Sequence, residues 1–464
     1  MLRKLLGVVL LMLMMSLLLA CAPVEPVAPA EPAEPAAPAE PAEPAVEAPA
    51  AEEPAAPAPA GETRLTYMGW IGLFEFYAPA WEYMIEEFEN QHPGVTVEYI
   101  GTPFEETLNQ ATTAVLGNNA PDIIQLVSGW TPQMQGMGAL TPINDLFDES
   151  VLNGIPESSR DAVTFDGNLM AMPWVPGPII LVYNRTLMAE AGLDPDQPPA
   201  TWDEFLQAVN AICALPARED GSSVYGVSLR TTRHPNSGHW SLPVIWGFGG
   251  DVIDADGQVV VAEEPAVNAY QWYQDVVGSD CSPNGFGIQE SRTVFGQGRA
   301  GFMFEGPWAK GLVDSLSGGA LTVAADGDVW VAPMPAGPDG QVRTIANTHV
   351  LAISEQSQNK ELAAEFIEFI TTDPEAVTRY YEVSQQMSTA QVDLLTSGDI
   401  GADEFTQVFV EALPSANSVP IKHPQWEAMT DSLSLALQKV LQGEDPAQSL
   451  ADAASEIEDL LLDE

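Results

Sequence analysis

Past residue 62 the apolar positions fall into two alternating rhythms. Arg64-Leu65-Thr66-Tyr67-Met68 alternates polar with apolar and predicts a short strand. Trp81, Met84, Ile85 and Phe88 recur at helical spacing and predict an amphipathic helix ending at His92-Pro93-Gly94. Val95–Ile100 alternates again as a strand, Phe104–Leu116 has helical spacing, and Ile123-Ile124-Gln125-Leu126-Val127 is an apolar run of the kind buried on both faces of a parallel sheet. Strand–helix units of about 30 residues predict a doubly wound α/β lobe. Ligands of such sheets lie at the carboxyl ends of the strands, here the turns Gly69-Trp70-Ile71-Gly72 and Ser128-Gly129-Trp130.

Upstream the pattern is different in kind. Behind the basic start Met1-Leu2-Arg3-Lys4, the run Leu5–Leu19 is almost wholly apolar. It is shorter than the ~20 residues of a bilayer span and reads as the core of a signal peptide over 1–20. Its end, Leu18-Leu19-Ala20-Cys21, resembles a bacterial lipoprotein signal, with Cys21 as the lipid-attachment site. From Ala22 to Ala60 only Ala, Pro, Glu and Val occur. Such a segment has almost nothing to bury, so 21–61 is expected to be a disordered tether. Extended at about 3.1 Å per residue, it would hold a domain on the order of 100 Å from a lipid surface.

About 400 residues follow the tether, more than one typical core and enough for two lobes. The formal net charge of −50 makes nucleic acid and anionic headgroups poor partners. It is also the composition of a salt or acid adaptation, which would carry no information about a ligand. With Cys21 assigned to lipid, Cys213 and Cys281 remain as a pair in an oxidising compartment, either joined as a disulfide or left as two buried thiols.

A family resemblance rests on several stretches taken in order. They are Glu89-Asn90-Gln91-His92-Pro93-Gly94-Val95-Thr96-Val97, Ala120-Pro121-Asp122-Ile123, Tyr183-Asn184-Arg185 and Pro199-Ala200-Thr201-Trp202-Asp203-Glu204-Phe205, then Phe295–Met303 and Asn359–Ile367. Together, from Thr63 to about Leu461, the chain resembles the extracellular solute-binding proteins of carbohydrate ABC importers, the maltodextrin-binding-like family. The resemblance implies a two-lobed α/β periplasmic-binding-protein fold of type II, a Venus-flytrap with a cleft between lobes. Mapped onto this chain, 62–172 and 305–353 form the N-terminal lobe. Residues 178–300 and 358–464 form the C-terminal lobe, with hinge crossings at 172–181, 302–308 and 354–358. It further implies a monomer without cofactor or catalytic chemistry, lipid-anchored outside the cell, whose partners are a carbohydrate and the transmembrane permease subunits. A non-sugar solute on the same fold (ferric ion, polyamine or peptide) and a surface carbohydrate-active enzyme are the alternatives. The pair Tyr380-Tyr381 resembles the paired tyrosines of ferric-ion binders.

Several motifs are misleading. Gly296-Gln297-Gly298-Arg299-Ala300-Gly301 matches G-x-G-x-x-G, but a helix-like stretch precedes it and a strand follows, the reverse of a dinucleotide site. Asp254-Ala255-Asp256-Gly257 lacks the other ligands of a calcium loop and reads as a hairpin turn before a strand over Gln258–Val261. The five histidines show no metal-ligand spacing.

The eleven tryptophans carry more information, because sugar recognition needs flat aromatic platforms beside planar polar groups. Trp81, Trp202, Trp272, Trp330 and Trp426 lie at core spacing. Trp70, Trp130, Trp174, Trp240, Trp246 and Trp308 fall in predicted loops or crossings and are expected to face the ligand. The polar candidates are Glu75, Ser128, Tyr183, His239, Glu305, Asn347 and His349, while Asp122 is expected to be structural.

Overall fold

The computed structural model describes residues 63–417 and 421–462. The signal peptide, Cys21 and the tether lie outside the described residues. The first strand, β1 (Thr63–Gly69), is followed by α1 (Ala78–Gln91), β2 (Val95–Gly101), α2 (Phe104–Leu116) and β3 (Ile123–Val127). Leu65 and Tyr67 are fully buried between half-buried Arg64 and Thr66, and all five residues of β3 are buried. Both patterns follow the periodicity of the sequence. Asp122 is structural: its carboxylate accepts hydrogen bonds from Thr66 N and Oγ1 at 2.8 Å and from Ser357 Oγ at 2.6 Å.

Next come β4 (Met172–Val175), β5 (Ile180–Asn184), α3 (Trp202–Cys213), β6 (Tyr225–Val227), α4 (Pro235–Gly247), α5 (Glu264–Gly278), α6 (Ile288–Gly296) and β7 (Ala300–Glu305). After these lie α7 (Ala309–Ser317), β8 (Val329–Ala332), β9 (His349–Ile353), α8 (Lys360–Thr372), α9 (Pro374–Ser384), α10 (Trp426–Leu441) and α11 (Pro446–Leu462). The main strands form two sheets, ordered β2-β1-β3-β9-β4 and β8-β5-β7-β6. In the first, β1 runs parallel to β2 and β3 while β9 is antiparallel to its neighbours. Each sheet with its helices is one lobe.

The chain leaves the first sheet through 176–179 and returns through 333–348. These passages are laced together: Ile179 N donates to Ile345 O at 2.9 Å and Asn347 N to Gly177 O at 2.7 Å. Gly177 is required there, because a Cβ would overlap the backbone carbonyl of Asn347.

Sheet membership corrects two expected boundaries. The crossing expected at 302–308 is a reversal within the second lobe. All six residues of β7 are buried, Glu305 pairs with Ile180, and the chain folds back at Gly306, over which the Trp308 ring closes. Helix α7 then packs on α6, and β8 pairs antiparallel with β5. Residues 305–332 therefore belong to the second lobe. The crossing expected at 354–358 stays on the first lobe, because Ser354 and Ser357 bond to Asp122. Helix α8 follows on the same lobe, with Phe366 set against Tyr67, Trp81 and Phe88 of β1 and α1. Helix α9 also packs on α1, so residues 358–384 belong to the first lobe. The chain rejoins the second lobe with Glu404–Ala412, where Phe405 meets Trp330 of β8, and α10 packs on α4.

Helix α3 opens on a capping box formed by Thr201 and Glu204 and ends at Cys213, which is bonded to Cys281 just beyond α5 with a Cα separation of 5.1 Å. Asp254–Gly257 is a turn, but only an isolated bridge, Ile253 to Val259, stands where a strand over Gln258–Val261 was expected.

Candidate functional site

A cavity of about 230 Å³ lies between the lobes, against the carboxyl ends of β1, β2, β6 and β7. From the first lobe it is lined by Trp70 and the aromatic loop to Tyr77, by Phe104 and Glu105, and by Asn347 and His349 at the entry to β9. From the second come Arg230, Trp240, Gln289, Arg292 and Trp308. The one polar residue of the β3 run explains how the first wall is set. Gln125 is fully buried, and its Oε1 accepts from Tyr67 Oη at 3.1 Å, Trp70 N at 3.2 Å and Ile71 N at 3.3 Å. The turn carrying Trp70 is thereby fixed to the sheet beneath it.

The aromatic side chains support one another across the cleft. Trp308 of the second lobe stacks on His349 of the first, with ring centres 5.2 Å apart and planes 13° apart. Trp70 meets His349 edge-on at 5.1 Å. Burial pushes the His349 imidazole down to about 3, and the nearby Arg292 charge adds to the effect, so His349 is neutral at ordinary pH. On the second lobe the Arg230 guanidinium lies 3.7 Å above the Trp240 ring, whose Nε1 donates to Phe304 O at 3.2 Å.

Behind this wall sits Glu305, 1% exposed. Its carboxylate accepts from Arg230 at 2.7 Å, from Arg292 at 2.7 and 3.1 Å, and from the Trp308 indole. Burial alone would raise the Glu305 carboxyl, but Arg292, Arg230 and these hydrogen bonds hold it at about 2. Arg230, fully enclosed, is brought down to about 10 by burial against the pull of Glu305. Glu305 thus orients three cleft residues and does not itself face the cavity, which corrects its expected place as a contact.

Five of the sequence candidates, Trp70, Trp240, Trp308, Asn347 and His349, come together on the cavity. Trp130 and His239 lie in an adjoining crevice of about 20 Å³ that also holds Glu427 and Asn347. Burial pushes the Glu427 carboxyl up to about 7, although it accepts a hydrogen bond from the Trp130 indole.

The remaining candidates lie elsewhere. Trp174 is fully buried against Trp81 and Tyr380, because β4 is an interior strand and not an open crossing. Tyr183 is buried in β5 between Phe302 and Trp330. Trp246 is packed at the end of α4 and donates to Asp251 at 3.0 Å. Ser128 is fully buried and bonds to Ala346 O at 3.2 Å, tying the end of β3 to the returning crossing. Glu75 is exposed beside the mouth, outside the lining. Tyr380 and Tyr381 are buried and stand outside the cavity lining.

Arg230, Arg292 and Tyr77 were missed by the sequence reading. For Arg230 a signal existed: one of only 16 basic residues stands just past the strand Tyr225–Val227. Arg292 sits within a helical pattern that gives no hint of its direction.

The fold and cleft define a class, the type II two-lobed binding proteins. The family model for the bacterial extracellular solute-binding protein matches residues 77–377, and the chain belongs to that family. Among its relatives, the maltotriose-binding protein of Pyrococcus abyssi is 22% identical, covering 77% of this chain and 73% of its own length. The arabinooligosaccharide-binding protein of Halalkalibacterium halodurans is 23% identical, covering 70% of each. A Thermotoga lettingae ABC transporter solute-binding protein, solved with α-D-tagatose, superimposes with a TM-score of 0.77 at 23% identity. That match covers 86% of this chain and all of the other. Maltose-bound MalE3 of T. maritima gives a TM-score of 0.74 with the same coverage, again at 23% identity.

Proposed function

We propose that the chain is the substrate-binding component of an ABC importer, capturing a mono- or oligosaccharide outside the cell and delivering it to the membrane permease. The observation that carries this reading is the make-up of the cleft. The indoles of Trp70, Trp240 and Trp308 stand beside the planar polar groups of Arg292, Asn347 and Glu105. Indole faces suit the C–H faces of a sugar ring, and planar polar groups suit its rim of hydroxyls. The named ligands of the relatives support the same class. The lobes would close about the laced crossings on binding, with no bond made or broken. The protein acts as a monomer, held to the outer face of the membrane through lipid on Cys21. The tether keeps its local concentration high at the permease.

A thermal-shift and tryptophan-fluorescence panel on the purified chain tests the ligand class. A saturable rise in Tm with a change in emission on adding a saccharide, without turnover, is the expected result. A response to ferric ion or spermidine with none to carbohydrate overturns it, and turnover would make the chain an enzyme. Cys21→Ser is expected to release the protein, leave ligand binding intact and cripple uptake; normal uptake in that strain would remove the anchor from the mechanism.

A further inference from the structure

The charges of the cleft wall do not balance. Arg230 and Arg292 have side chains only 4% and 11% exposed, and one carboxylate, Glu305, serves both. Arg292 takes both Glu305 oxygens in a bidentate pair, while Arg230 shares one of them and bonds also to Asn236. Glu105 is the carboxylate of the lining itself. It is exposed on the facing lobe, and its influence on Arg230 is the smallest of those acting there. The enclosed wall therefore holds one cation more than it holds anions, in a chain whose net charge is −50. A buried charge without a counter-charge is costly, and the hydroxyls of a neutral sugar supply none.

Two polar atoms of the same lining are also unpaired. Tyr77 is 3% exposed and His349 5%, and neither Tyr77 Oη nor His349 Nδ1 has a hydrogen-bond partner among the described residues. The charge of Arg292 reaches both residues. The two guanidiniums of the Arg230–Glu305–Arg292 cluster with its surplus positive charge, an unpaired phenol O–H and an unpaired neutral imidazole nitrogen therefore belong to one cavity lining, drawn from both lobes. The guanidiniums and the phenol O–H are equipped for charge-assisted hydrogen bonds to anionic oxygens, and so is the imidazole in the tautomer that carries its proton on Nδ1.

Building on the sugar reading above, we propose that the ligand is an acidic saccharide whose anionic oxygens sit between Arg292 and Tyr77. A carboxylate, a sulfate ester and a phosphate ester share that chemistry. Calorimetric titration of the purified chain with matched pairs separates them: galacturonic acid and trigalacturonate against galactose and galactotriose, and glucose 6-sulfate and glucose 6-phosphate against glucose. The acidic member of at least one pair is expected to bind tenfold or more tighter than its neutral parent, and the pair identifies the group. Arg292→Gln leaves Arg230 and Glu305 matched one to one, so the fold is retained while the preference falls below threefold. Arg292→Lys restores part of the preference, and Tyr77→Phe weakens the acidic ligand alone. Neutral sugars binding as tightly as their acidic partners, or an unchanged preference in Arg292→Gln, overturns this proposal and leaves the sugar reading standing. No binding of any saccharide defeats both.

Discussion

Two glutamates at the gap between the lobes show what the same side chain becomes in two settings. Glu305, at the end of β7, is 1% exposed and held at about 2. Glu427, in the first turn of α10, is partly buried and pushed up to about 7. Its position near a helix N-terminus and its bond from the Trp130 indole both favour the ionised form, but burial outweighs them. Degree of burial therefore does not decide the protonation state here. Glu305 meets two guanidiniums, and Glu427 meets an indole and the histidine-bearing start of α4.

The strongest way to break this comparison is to empty the Glu305 position. Glu305→Ala strands two buried guanidiniums and is expected to cost about 3–5 kcal/mol of unfolding free energy at pH 7, measured by urea denaturation. A cost below 1 kcal/mol would mean that the ion network is not what holds this wall. The sign with pH follows from a lowered carboxyl. The contribution of Glu305 stands fully above its ordinary value of 4.5 and is lost as pH falls toward about 2.

Glu427 should behave in the opposite sense. A raised carboxyl favours the folded state most below its ordinary 4.5, and that contribution is lost as pH climbs through about 7. At roughly 1.4 kcal/mol per pH unit over that interval, the loss is on the order of 3 kcal/mol between pH 4.5 and 8. His234 and His239 share the crevice, so the clean measurement is a difference. Urea midpoints for wild type and Glu427→Gln at pH 5, 6, 7 and 8 should diverge, with the glutamine variant gaining relative stability toward pH 8. Parallel curves would refute the assignment.

The contrast also marks how far the sequence could be read. Periodicity and strand order made the first lobe legible as far as β3, because burial on one face or both leaves a rhythm of 2 or 3.6 in the residues themselves. It could not say which sheet Val329–Ala332 would join, since an apolar run does not name its partner. Nor could it show that Asp122 would hold 354–359 on the first lobe. Within the site, Trp70 and Trp308 were found because loop indoles are rare and costly to expose, whereas Trp240 reaches the cavity from within α4 and not from the loop expected for it. Trp174 was misplaced because a short interior strand and a crossing look alike in one dimension. Glu305 was named for the wrong job, and Glu427 was not named at all. The state of each depends on guanidiniums, or an indole, brought from distant parts of the chain: Arg230 lies 75 residues from Glu305.

The finest test concerns the one bond that keeps Glu427 from rising further. Trp130→Phe removes the indole N–H while keeping an aromatic ring beside Trp70 and Phe104, which lie 5.8 and 5.0 Å away. The packing loss is the same at every pH. The lost hydrogen bond is not, because it favoured the charged carboxylate, so its loss is felt only where Glu427 is ionised. The variant should lose about 0.5–1.5 kcal/mol more at pH 8 than at pH 5, the usual size of one hydrogen bond. In a Glu427→Gln background that excess should vanish, since the two side chains touch and their effects are coupled. If no excess appears at pH 8 while Glu427 is present, Trp130 is acting through packing, and the contrast between the two glutamates rests on burial and counter-charge alone.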